Sequence, residues 1–145
     1  METHEIISFI KEIELFRDLE ESEYEVIANQ IEVKIFPEKK FLFTEYEPRK
    51  YFYLIYDGEV ELFKTTVFGE EKKLSYFTRY DFLGEGGLIE DAPHSTSART
   101  VSETTACLLR SDKFGDFMKE YAEIAVKIVS RIAKVMSRRM SHANT

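Results

Sequence analysis

Between Ile31 and Arg110 lie short runs whose apolar residues follow a period of two, and on either side of that stretch apolar residues recur at every third and fourth position. A strand sends alternate side chains to opposite faces, whereas a helix gathers positions i, i+3 and i+4 on one face. The switch of period therefore demands a β unit flanked by helices. Ahead of it, Ile6, Phe9, Ile10, Ile13, Phe16, Val26, Ile27 and Ile31 mark a helical face that the polar run Asp18–Glu23 interrupts, which predicts two short helices over residues 1–30. The runs IEVKIF, KFLFTEY and YFYLIY follow, rich in the β-branched and aromatic residues that suit a pleated surface.

Asp57-Gly58 joins YFYLIY to EVELFK, and a D-G pair predicts a tight hairpin between them. Gly69 predicts a second hairpin, and HSTSARTV and TACLLR supply later strands. Seven or eight short strands punctuated by turns close as a barrel or jelly roll, here over residues 31–111. From 112 to 141 steps of three and four run from Phe114 to Met140, which predicts one long helix with Ser111 or Asp112 at its cap. The fold class expected is mainly β with flanking helices, a double-stranded β-helix in a single domain of 145 residues.

With 43% hydrophobic and 14% aromatic residues the chain can pack a core. Its net charge of −7 opposes a broad nucleic-acid footprint, so no nucleic acid is expected to bind this chain alone. Cys107 is the sole cysteine, set in the apolar run ACLL, where it reads as a small buried hydrophobe in a reducing compartment. There is no basic leader and no apolar run near the roughly 18 residues of a membrane span, so a cytoplasmic protein without membrane contact is expected.

Chemistry concentrates in FLGEGGLIEDAPHSTSA, Phe82–Ala98. Glycines let backbone N–H groups approach a ligand, and Gly84, Gly86 and Gly87 in succession can form a concave nest for an anion. Glu85 would repel a phosphate but would accept a hydrogen bond from a hydroxyl of the same ligand. A sugar phosphate meets both demands. A tight structural turn accounts for one or two of these glycines, though not for the neighbouring acid and the P-H-S sequel.

GEGGLIEDAPHSTSARTV resembles the phosphate-binding cassette of the cyclic-nucleotide-binding domain family, the sensor of catabolite-activator-type regulators, protein kinase A regulatory subunits and cyclic-nucleotide-gated channels. The register runs without a gap from Gly84 to Val101, and ELFRDLEE and YFYLIYDGEVELFK resemble the flanking family segments. The resemblance implies cyclic AMP (cAMP) or cyclic GMP (cGMP), or a similar small anion, as ligand. It implies that Glu85 accepts from the ribose 2′-hydroxyl and that the amides of Gly86 and Gly87 face the cyclic phosphate. Ser95 would offer a hydroxyl, and Leu88 and Thr96 complete the set.

Two departures stand out. The family's phosphate-pairing arginine falls on His94, and a histidine, whose ordinary pKa is near 6.5, lacks both the permanent charge and the guanidinium fork. Loss of one charge-assisted contact of about 1.5–3 kcal/mol lowers affinity roughly ten- to a hundredfold. Arg99 lies five residues on, an odd step along a strand, and is expected on the opposite face. The loops before the first hairpin, FPEKKF and TEYEPRK, lack the glycines usual there and are expected to be stiffer or differently shaped.

His4, His94 and His142 form no H-x-H pair, no G-x-S-x-G elbow is present, and neither enzymatic activity, a cofactor nor a metal is expected. The apolar stripe of the last helix persists beyond a small barrel, which predicts a homodimer seam along it. The resemblance also makes this helix a lid, with Arg139 and Met140 at lid positions. No helix-turn-helix follows, so the signal is expected to pass to an unknown protein partner. Two readings stand side by side: a ligand-binding sensor, and a degenerate module with an empty or self-filled pocket.

Overall fold

The computed structural model describes residues 1–143, with side chains through Ser141. Residues 31–112 form one compact unit of strands, and residues 1–30 with the chain from Lys113 onward form a second, helical unit.

The strand unit contains β1 (Glu32–Phe36), β2 (Phe41–Phe43), β3 (Tyr51–Asp57), β4 (Val60–Thr65), β5 (Glu71–Phe77), β6 (Phe82–Leu83), β7 (Ser97–Thr100) and β8 (Thr104–Arg110). They build two four-stranded antiparallel sheets, ordered β1-β8-β3-β6 and β2-β7-β4-β5, the jelly roll expected of short strands punctuated by turns. Phe36, Phe43, Tyr53, Ile55, Val60 and Leu108 fill the space between them. In β3, Phe52 to Ile55 are buried at four consecutive positions, as befits a strand covered on both faces. β5 carries Lys72 and Lys73 and lies at the edge of its sheet, exposed along nearly its whole length.

Asp57-Gly58 does not make the expected hairpin. β3 pairs with β6 and β8, β4 pairs with β5 and β7, and the dipeptide carries the chain from one sheet to the other. A type I′ turn needs positive φ at both central residues, and here Gly58 has it (99°) while Asp57 does not. The second hairpin forms as expected, with Gly69 at φ 83° and the Thr66 amide donating to the Glu70 carbonyl at 2.8 Å. The glycine-poor loops keep glycine-like backbone nonetheless: Lys39 and Tyr46 adopt φ of 62° and 71°.

The helical unit contains α1 (Thr3–Ile10), a 3-10 turn (Glu14–Phe16), α2 (Glu21–Ala28), α3 (Phe114–Glu120) and α4 (Ala122–Ala143). The predicted single C-terminal helix is thus two, parted at Tyr121, whose φ of −125° and ψ of 58° leave the helical region. Apolar spacing reports the buried face, and a break that preserves that face leaves the spacing intact. Neither predicted residue caps α3. Lys113 stands at its N-cap, and Asp112 instead forms a two-pronged ion pair with Arg110 (2.8 and 2.6 Å).

The stripe of α4 is buried through Val135, and Lys127–Glu23 (2.5 Å), Arg131–Asp18 (2.8 Å) and Arg138–Glu14 ion pairs tie the helix to the N-terminal segment. The apolar surface on which the homodimer seam was argued is therefore smaller than the spacing implied: Val126 and Met140 remain exposed. No helix among the described residues is long and apolar enough to cross a membrane.

Candidate functional site

β6 ends at Leu83 on the edge of β3, and the chain turns sharply there because Gly84 adopts φ 83°. A side chain at Gly84 would lie 2.9 Å from the Tyr51 carbonyl, so the bare backbone is required twice over. A short 3-10 turn, Glu85–Leu88, follows. Glu85 is only 9% exposed and Leu88 is buried, so the acid is recessed, as a hydroxyl acceptor must be.

The two amides expected to face a phosphate differ. Gly87 N–H donates to the Gly84 carbonyl at 3.2 Å and closes the turn, so it is not the free donor that the resemblance implied. Gly86 N–H meets no backbone acceptor among the described residues, and the Gly86 carbonyl accepts from Ile89 and Glu90 (3.2 and 3.0 Å).

His94 is 5% exposed, and its ring lies flat on Phe43, centroids 3.7 Å apart and planes within 5°. Its main chain is clamped by the 44–47 loop: Tyr46 N–H donates to the His94 carbonyl (2.8 Å), and His94 N–H donates to the Glu47 carbonyl (3.0 Å). Burial foremost, and then the Arg49 charge, push the His94 pKa down to about 4 against the opposing pull of Glu47. The ring is therefore neutral at pH 7 and offers a phosphate no charge. Ser95 is exposed, Thr96 is half-buried, and Ser97 Oγ accepts from Glu45 N–H at 3.0 Å.

Phe43 and His94 also line a cavity of about 280 Å³, together with Tyr51, Tyr53, Glu47 and the lysines Lys34, Lys40 and Lys50. Arg99 faces away, held by Glu61 (2.8 and 2.5 Å) and Glu71 (2.8 Å) over the Phe63 ring. Arg139 lies on α4, in the helical unit, and is exposed. His4 is exposed on α1, and the side chain of His142 lies outside the described residues. Among the described residues no three of His, Cys, Asp and Glu gather as metal ligands would.

Two side chains at the turn were missed in the sequence. The Arg49 guanidinium lies across Gly86, where an added Cβ would collide with Nη1 and sit 2.9 Å from Cζ. Ser111, 6% exposed, puts its Oγ 3.0 Å from the place where a Cβ would stand on Gly87. Among the described residues, Arg49 Nε and Ser111 Oγ are both buried without a hydrogen-bond partner. The available signal was the cation pair Arg49-Lys50 in the loop whose missing glycines already marked it as unusual.

Comparison with known proteins places the fold in a family. The profile described as the cyclic nucleotide-binding domain matches residues 33–121. A cAMP-dependent protein kinase regulatory subunit of Emericella nidulans is 31% identical over 107 residues, 74% of this chain and 25% of that protein. A CRP-like cAMP-activated global transcriptional regulator of Mycobacterium tuberculosis is 25% identical over 130 residues, 90% of this chain and 56% of that one. The crystal structure of a cyclic nucleotide-binding domain from Methylobacillus flagellatus superposes with a TM-score of 0.82 at 22% identity, covering 97% of this chain and 79% of that one. The chain belongs to the cyclic nucleotide-binding domain family. It spans between a quarter and about half of the length of the curated relatives it matches.

Proposed function

We propose that this chain is a regulatory sensor that binds a cyclic nucleotide, cAMP or cGMP, at the Gly84–Leu88 turn and passes the binding event through its C-terminal helix to a protein partner in the cytoplasm, without catalysis. The observation that carries this reading is the pairing of the recessed Glu85 with the unengaged Gly86 amide, one group suited to a ribose hydroxyl and the other to a phosphate oxygen. A ligand that binds one arrangement of the helix more tightly shifts the population toward it, typically by about 1–3 kcal/mol of coupling. Self-association along α4, through Val126 and Met140, is the second part of the proposal.

Native mass spectrometry of freshly purified protein tests both parts. A retained mass matching a cyclic nucleotide and a subunit count of two are expected. A monomer would refute the dimer alone. If no small molecule is retained and none is taken up from added cAMP or cGMP, the sensor reading fails.

A second reading has its own observation. His94, at the place of the family's arginine, is neutral and packed on Phe43, which suits a module that no longer takes a nucleotide. Titration of the wild-type chain with cAMP and cGMP separates the two: saturable binding excludes a module that no longer takes a nucleotide, and flat traces for both nucleotides support it.

A further inference from the structure

A phosphate site in a chain of net charge −7 needs a local cation, and position 94 supplies none. The strand unit holds four arginines. Arg99 is held by Glu61 and Glu71, Arg110 by Asp112, and Arg79 lies over the rings of Tyr56 and Tyr80 at 4.7 and 5.1 Å. Arg49 is the fourth. Among the described residues it has no carboxylate partner, and its Nε is buried with no acceptor. Its guanidinium nonetheless lies on Gly86, the residue whose amide is unengaged.

We propose that Arg49, reaching in from the loop between β2 and β3, pairs with the phosphate of the ligand in place of position 94. This rests on the reading of Gly84–Leu88 as a cyclic-nucleotide site and names the side chain that completes it.

Three observations converge on the assignment. The position of Arg49 is built into the backbone: the Tyr46–His94–Glu47 clamp fixes the loop on one side, and the Ser111 N–H to Lys50 carbonyl bond (2.9 Å) fixes it on the other. Pro48 restricts the backbone immediately before it. The glycines beside it are then explained, because a methyl group at Gly86 would collide with the guanidinium and one at Gly87 would lie 3.2 Å from Arg49 Cβ. Lastly, Arg49 Nε and Ser111 Oγ, buried side-chain atoms without partners among the described residues, flank the same pair of glycines. Buried donors are nearly always satisfied, and one anion would satisfy both together with Gly86 N–H.

An arginine holds its charge at every physiological pH and presents two parallel donors to a phosphate. A phosphodiester, with one charge and two free oxygens, matches that donor set, and Glu85 nearby admits the neutral hydroxyl of the attached sugar. The two departures seen in the sequence are thus one change, in which the cation has moved from the cassette to the facing loop.

The test is titration calorimetry of the full chain with cAMP and cGMP for wild type, R49A and R49K, with thermal melts to verify folding. The expected result is a ten- to hundredfold loss of affinity in R49A, a smaller loss in R49K, and unchanged melting for both. Equal affinity in R49A and wild type would overturn the assignment and leave the nucleotide reading standing. Binding gained by R49A over a silent wild type would overturn it too, by making Arg49 a plug.

If every protein is silent toward both nucleotides, the nucleotide reading falls and inorganic phosphate decides the rest. Phosphate-induced shifts of the Gly86 amide and Arg49 Nε resonances in wild type, with the Gly86 shift lost in R49A and reduced in R49K, would still support Arg49 as the anion-binding cation. Their absence in wild type would overturn it.

Discussion

Gly58 and Gly86 both lack a side chain because something else occupies the space, and the occupants differ in kind. At Gly58 they belong to the end of the turn before β8 and to the first residue of β8: the Glu103 carbonyl and Thr104 Oγ1 lie 2.5 Å, and Thr104 Cα 2.7 Å, from where a Cβ would stand. At Gly86 the occupant is the tip of Arg49, a side chain that can swing away. Gly58 also needs φ of 99°, whereas Gly86 has no positive φ. A glycine pressed by fixed main chain holds the fold together. One pressed by the tip of a charged side chain preserves a site, and substitution there should disturb binding before stability.

That contrast orders the expected effects. Gly58→Ala combines backbone strain with immovable neighbours and should cost about 3 kcal/mol or more in urea unfolding. His94→Arg should cost about 2–3 kcal/mol, because it buries a charge against Phe43 and beside a second guanidinium. With Arg49 already in place it should bring no gain in nucleotide affinity, and a tenfold gain would instead show that the site lacks its cation.

Acidification should destabilise the wild type. The folded pKa of His94, about 4, lies below the ordinary 6.5, so between these values the unfolded chain binds more protons. The contribution is fully present above pH 6.5 and is lost as the pH falls toward 4. About 1–2 kcal/mol should disappear between pH 7 and pH 5, and His94→Phe should flatten that part of the profile. A profile identical in His94→Phe and wild type would show that the ring is not buried neutral.

Gly86→Ala closes the order, with a change in unfolding free energy of about 0.5 kcal/mol or less and roughly tenfold weaker ligand binding as Arg49 is displaced. Comparable loss of stability at Gly58 and Gly86 would abolish the distinction drawn between them.

The sequence revealed most about period and least about partners. Short strand-like runs punctuated by turns over residues 31–110 were enough for a barrel or jelly roll. They could not say that the chain changes sheets at Asp57-Gly58, since which strands pair depends on the distant β8 and β7 rather than on the dipeptide. Tyr121 parts α3 from α4 without disturbing the apolar stripe and so left no mark. At the site, the glycines and Glu85 were legible because chemistry and local spacing coincide there. Arg49 and Ser111 were not, because one reaches the turn from a loop some 35 residues before it and the other from the end of β8. Only the fold brings them to Gly86 and Gly87.

Calorimetric titration of the wild-type chain with cAMP and cGMP at pH 6 and pH 8 tests the central claim most directly. With a neutral His94 and a permanently charged Arg49, saturable binding of at least one nucleotide is expected, with the same affinity at both pH values. Flat traces for both nucleotides at both pH values would contradict the claim that this turn is a cyclic-nucleotide site.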